Sequence, residues 1–131
     1  MESVDKVSGY QKLEVWQRSR ELVKEVYTLT TELDPSEKFG LMSQMRRAVV
    51  SIPSNIAEGY GRNTPQAYIQ FLRIAKGSCN ELEVLLILCQ DLELLGPIDE
   101  TRGKLAKIGQ QLFHLIKRIE VGIPKKSPNP D

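Results

Sequence analysis

The chain has 131 residues, 40% hydrophobic and 27% charged, enough for one soluble domain with a buried core. Its 18 basic and 17 acidic residues leave a net charge of +1. That balance excludes a bulk polycation that coats nucleic acid, while a local basic face stays open.

Four segments carry helical periodicity, and none sustains the two-residue alternation of a strand. The first spans about residues 13–33, with Val15, Leu22 and Leu29 in one row, Trp16 and Val23 in a second, and Val26 and Leu33 in a third. Asp34, Pro35 and Glu37 then read as a cap, a first-turn proline and the end of a capping box, opening a second helix over about 35–58. Its seam is Met42, Met45, Val49, Ile52 and Ile56. Thr64-Pro65 repeats the cap-then-proline device and opens a third helix to about residue 95, with the seam Tyr68, Leu72, Ala75, Cys79, Leu82, Leu86 and Cys89. The fourth spans about 98–121 on Ile98, Thr101, Leu105, Ile108, Leu112, Leu115 and Ile119. Gly59 and Gly96 suit the left-handed residue that ends a helix. Short links force neighbouring helices to run antiparallel, so the expected fold is an all-α, up-down-up-down four-helix bundle over 13–121. Residues 1–12 are expected to be a flexible head and 122–131 a disordered proline-rich tail.

The second helix holds the most informative stretch, residues 44–59. Pro53 cannot donate to the carbonyl of Val49, so the helix is expected to bend or end nearby, with Ser51, Ser54 and Asn55 serving the freed groups. Two readings of the ending follow. Asn55 and Glu58 are presented at the bundle end for a purpose, or they merely cap, with Glu58 near the positive end of the third helix.

The third helix carries more apolar surface than one bundle stripe requires. Phe71, Ile74, Leu85, Leu88, Leu92 and Leu95 form a second pair of rows, the expected interface of a homo-oligomer. The opposing reading is a wide stripe deep in the bundle that touches both neighbours. Gly40, Gly77 and Gly109 interrupt helical patterns at about 1 kcal/mol each, which close approach between backbones would explain.

Catalytic and metal chemistry finds no constellation. His114 stands alone, and the position three before it is Gln111 where a di-iron bundle has glutamate. Cys79 and Cys89 lie on one seam roughly 15 Å apart along a helix, too far for a disulfide, and read as buried free thiols. No phosphate loop or nucleophile–base pair is present. No enzymatic activity, cofactor or metal is therefore expected. A weaker alternative is a small-molecule or metal site on Asn55, Glu58 and Glu81. Residues 1–9 lack the apolar run of a signal peptide. The greasiest stretch, 82–95, is broken by Glu83, Gln90, Asp91 and Glu93, so a cytoplasmic protein without membrane contact is expected.

Charge is segregated along the chain. Residues 36–76 hold Lys38, Arg46, Arg47, Arg62, Arg73 and Lys76 against only Glu37 and Glu58. Residues 77–100 hold no Lys or Arg but six acids. Arg46, Arg47, Arg62, Arg73 and Lys76 are thus the candidate nucleic-acid contacts, with Tyr60 and Tyr68 suited to base stacking. The opposing readings are a solvated face and salt bridges between subunits to the acidic third helix.

Leu13-Glu14-Val15-Trp16-Gln17, Phe39-Gly40-Leu41, the Gln-Met-Arg-Arg-Ala run from Gln44, Ser51-Ile52-Pro53, the Asn-Ile-Ala-Glu-Gly run from Asn55, and Gly77-Ser78 followed by Glu81-Leu82-Glu83 resemble the four-helix-bundle family of 23S rRNA intervening-sequence proteins. The resemblance spans about residues 10–119 and extends to the accessory protein of diversity-generating retroelements, a basic pentameric barrel that partners a reverse transcriptase. It implies a homopentamer of four-helix bundles without enzymatic activity and with an RNA-linked role. The near-neutral charge of this chain departs from that basic relative. Two partner readings follow: a self-associating scaffold that binds RNA, or a protein acting on RNA, through its basic face; or a protein–protein assembly module with no nucleic-acid contact.

Overall fold

The computed structural model describes residues 9–124. The chain folds as four α-helices: α1 (Glu14–Thr30), α2 (Leu41–Tyr60), α3 (Pro65–Asp91) and α4 (Asp99–Val121). Each helix packs on its neighbour in sequence, and α1 closes the square against α4, while the diagonal pairs stay apart. The bundle is antiparallel. Ser51 of α2 meets Ser78 of α3 at 2.8 Å, and further along α2 Gly59 meets Phe71 and Tyr68, so one helix climbs as the other descends.

The heptad seams supply the core. Leu22, Val26, Met45, Val49, Ile52, Ile56, Leu72, Leu82, Leu86, Ile108 and Leu112 are all essentially inaccessible. Nearly every seam residue read from the sequence lies in this cluster or packs against it, and Ile69, Leu85 and Ile116 join it.

The element ends differ from expectation in ways that bear on function. The stretch Pro35–Glu37 is a separate 3-10 turn, and α2 starts only at Leu41 with Gly40 as its N-cap. Asp34 caps that turn by accepting from the Ser36 N–H, and this bond holds its carboxyl below the usual range. Pro53 does not end α2, which continues to Tyr60. Gly59 is not a left-handed terminator; it is buried inside the last turn. Nor is Gly96: α3 stops at Asp91, five residues before it, and Glu93 takes the left-handed conformation at φ 57°. Ahead of α1, Gly9–Lys12 forms a 3-10 turn in which Tyr10 packs edge-on to Trp16, so the flexible head does not reach residue 12. The remaining expectations of flexibility, for residues 1–8 and 125–131, lie outside the described residues.

Candidate functional site

The five candidate basic residues are not brought to one surface. Arg46 folds inward along α1. Its Nε donates to Thr30 Oγ1 at 2.9 Å, its Nη2 to the Tyr27 carbonyl at 3.2 Å, and its guanidinium lies 4.5 Å from the Tyr27 ring centroid. It serves the C-terminal end of α1, where carbonyls lack intrahelical partners and a cation is favourable. Arg62 pairs with Glu58 at 2.7 Å and covers the Phe71 ring at 4.7 Å. Arg73 reaches the other way, to Glu120 of α4 at 2.8 Å. Arg47 is exposed and Lys76 half-buried, and among the described residues neither forms an ion pair. Tyr60 and Tyr68 pack on each other edge-to-face at 6.0 Å, and burial, then Tyr60, pushes the Tyr68 hydroxyl above its ordinary pKa.

The polar ending of α2 is largely internal. Asn55 Nδ2 donates to the Ser51 carbonyl at 2.8 Å and to Ser51 Oγ at 2.9 Å, and Ser51 Oγ shares a hydrogen bond with Ser78. The motif thus ties the turn weakened by Pro53 to itself and to α3. Glu58 goes to Arg62, and the cap of α3 is Thr64, whose Oγ1 accepts from the Ala67 N–H. Neither sequence reading of Asn55 holds: it neither projects at the bundle end nor caps α3. Gly59 is the point of closest helix contact. A Cβ there would lie 2.8 Å from Phe71 Cβ and 3.1 Å from the Tyr68 carbonyl oxygen. The other interior glycines do the opposite: at Gly77 and Gly109 a Cβ would meet nothing within 4 Å, and at Gly40 it would meet only Glu37.

The apolar rows of α3 divide. Leu85 belongs to the core of the bundle at 6% exposure and not to its outer face, against the expectation that placed it at an interface. Phe71 and Leu95 are half-buried, Phe71 under Arg62 and Leu95 against the core. Ile74, Leu88 and Leu92 remain open to solvent at 51, 42 and 61%. Val84, absent from the sequence-derived set, joins them at 54%. These residues and Gly77 follow spacings of three, four and seven, hence one outward stripe along α3. Glu81, four residues after Gly77 and three before Val84, sits within the stripe, and Asp91 and Glu93 lie at its C-terminal end, all exposed.

Between α1 and α2 the surface is concave. One groove, about 680 Å³, is lined among others by Tyr27, Phe39, Met42 and Val50 with Lys38, Arg46 and Arg47. A second, about 550 Å³, is lined by Trp16, Val23, Val50, Pro53 and Ala57 with Arg20 and Lys24. Sequence reasoning missed this surface because it is made by two helices jointly. Phe39, 90% exposed on the short link before α2, was its one sequence signal. A larger groove of about 800 Å³ lies between α1 and α4.

Among the described residues no three His, Cys, Asp or Glu side chains gather to hold a metal ion, and no helix is long and apolar enough to cross a membrane.

Comparisons with known proteins agree with this architecture. A crystal structure of a protein of unknown function from the S23 ribosomal protein family of Bacteroides thetaiotaomicron is similar, with a TM-score of 0.74 at 25% identity, covering 79% of this chain and 98% of that one. No curated protein matches the sequence. The family model described as 23S rRNA-intervening sequence protein matches residues 11–114, and the chain belongs to that family.

Proposed function

We propose that this chain is a non-enzymatic assembly unit, a four-helix bundle that associates with copies of itself through the outer face of α3. The observation that carries the reading is the open stripe of Ile74, Val84, Leu88 and Leu92 on an otherwise well-filled bundle. These side chains are already about half covered, so withdrawing the remainder of each from water is worth roughly 1 kcal/mol, and four on one face together favour a partner. The choice of a second copy as that partner rests on charge. The stripe holds acids within it and at its C-terminal end, the α1/α2 surface is rimmed by bases, and the whole chain balances at +1. The resemblance to a pentameric relative supports a ring of five. Light scattering at micromolar concentration is expected to give a multiple of the subunit mass, and Leu88→Glu to weaken association by about tenfold or more. A wild-type protein with the mass of one chain would sink the reading.

A second reading, RNA contact, is favoured by one observation. The groove around Phe39 combines two exposed aromatic rings with Lys38, Arg46 and Arg47 and no acid. RNA affinity that falls steeply with salt and is lost in Arg47→Glu supports it, and affinity that ignores both removes it.

A further inference from the structure

We infer that the outer face of α3 of one copy seats in the trough between α1 and α2 of the next, so that copies join head to tail. The inference rests on the self-association reading and names its two surfaces.

The trough is made of two grooves that adjoin at Val50, which lines both, and together they extend along α1 and α2 from Phe39 to Ala57. Its floor is apolar, with Trp16, Val23, Met42 and Pro53. Its charged lining residues are Arg20, Lys24, Lys38, Arg46 and Arg47, and no acidic side chain lines either groove. The α3 face is the counterpart: apolar at Ile74, Val84, Leu88 and Leu92, with Arg73 and Lys76 beside Ile74 but no Lys or Arg between Gly77 and Glu100. Two troughs would bring base against base, and two α3 faces set side by side in parallel acid against acid. The unlike pair is complementary in both hydropathy and charge.

Height along the bundle agrees as well. In a ring whose axis runs along the helices, contacting patches must lie at the same level. The Ser51–Ser78 contact fixes the level of α2 against α3. Counting away from it in opposite directions, Phe39 and Met42 stand level with Leu88 and Leu92, and Pro53 and Ala57 with Ile74. The exposed aromatic end of the trough thus meets the greasiest and most acidic end of the stripe. Gly77, beside the fixed point and with open space over it, leaves room for the neighbour's backbone near Val50. Because the two surfaces differ, the contact is heterologous. Every copy offers one of each, so assembly closes only as a ring.

Two variants test this in the full chain. Lys38→Glu with Arg47→Glu closes the trough, and Leu88→Glu with Leu92→Glu closes the α3 face. All four positions are exposed, and circular dichroism verifies that each variant keeps its helicity. Sedimentation velocity is expected to find each variant monomeric alone, with association weakened at least about tenfold. Mixed one to one, they are expected to form a dimer and nothing larger, because one sound face meets one sound trough and both free ends are closed. A second measurement adds Glu81→Arg with Asp91→Arg to the trough variant, which is expected to restore association through reversed charges. A mixture that stays monomeric, a charge swap that restores nothing, or either double variant keeping the wild-type mass overturns the pairing while self-association stands. A monomeric wild type overturns both.

Discussion

A single methyl group separates the two kinds of glycine in this bundle. At Gly59 it would fall 2.8 Å from Phe71 Cβ and against the Tyr68 carbonyl, so α3 must retreat from α2 or the helix must shift. Overpacking of this kind costs about 1–3 kcal/mol, which outweighs the roughly 1 kcal/mol that alanine gains over glycine in a helix. Gly59→Ala is therefore expected to lower the urea midpoint of unfolding, and an unchanged midpoint would mean that the helices are not this close. The cysteines make a second prediction at this scale. Burial pushes the Cys79 thiol up to about 12, and burial, then Glu37, raises that of Cys89. At pH 8 almost no thiolate is present, so a disulfide reagent should label neither residue in the native protein and both after unfolding. Rapid native labelling of either would contradict the packing. The seam positions of both thiols were legible from spacing alone. The fates of Arg46 and Arg62 were not, because Thr30 and the Phe71 ring lie 16 and nine positions away in sequence and meet these arginines only after the helices pack.

Helix ends were the least legible elements, and the end of α3 shows why. The sequence offers Gly96 as the stop, yet the backbone turns at Glu93. There the Leu94 N–H donates to the Cys89 carbonyl at 2.8 Å and the Glu93 N–H to that of Gln90 at 3.0 Å, the hydrogen-bond pair of a Schellman ending. Leu94 packs against the core, so tertiary packing chooses the stop and glutamate accepts the strain. A left-handed residue with a side chain costs about 1–2 kcal/mol, of which glycine's own entropy returns roughly half. Glu93→Gly is expected to raise stability by about 0.5–1 kcal/mol in chemical denaturation, and a loss would show that the carboxylate has a partner. The pairing of α1 with α4 carries a pH dependence. Glu25 accepts from Thr101 Oγ1 at 2.7 Å and from Lys104. Desolvation pushes its pKa up, but the two hydrogen bonds and the Lys104 charge outweigh it and hold it below the ordinary 4.5. A depressed carboxylate contributes stability at pH above its unfolded value, and that contribution is lost as pH falls through the folded value. The sign is opposite for Lys104, raised above 10.5 first by its bond to Glu25, whose contribution fades only in strong base. Glu25→Gln should therefore flatten the acid limb of the stability profile below about pH 4.5 and leave the neutral region's slope unchanged. An acid limb of wild-type steepness would mean that Glu25 is not the group titrating.

At the scale of the whole molecule, the near-neutral charge conceals two surfaces of opposite sign, one on α3 and one between α1 and α2. The acidic half of α3 could be read from the sequence because one helix carries it. The trough could not, because its lining alternates between residues near 20 and residues near 50, which become neighbours only when α1 and α2 pack. In the docking inferred above, Gly77 would connect the stability of one copy to assembly. It sits exposed on α3, and nothing lies within 4 Å of where a side chain would start. Inside one subunit, alanine there is free to improve the helix by about 1 kcal/mol, a rise of a few degrees in thermal midpoint for a domain of this size. Between subunits the same methyl group would stand where the neighbour's α2 approaches. Gly77→Ala is therefore expected to raise the melting temperature of the monomeric Leu88→Glu, Leu92→Glu background while weakening association of the otherwise wild-type chain. Opposite signs from one substitution would locate the cost of this glycine in the contact between copies. A variant that melts higher and still associates with wild-type affinity would place Gly77 outside that contact and move the docking line towards Leu88 and Leu92.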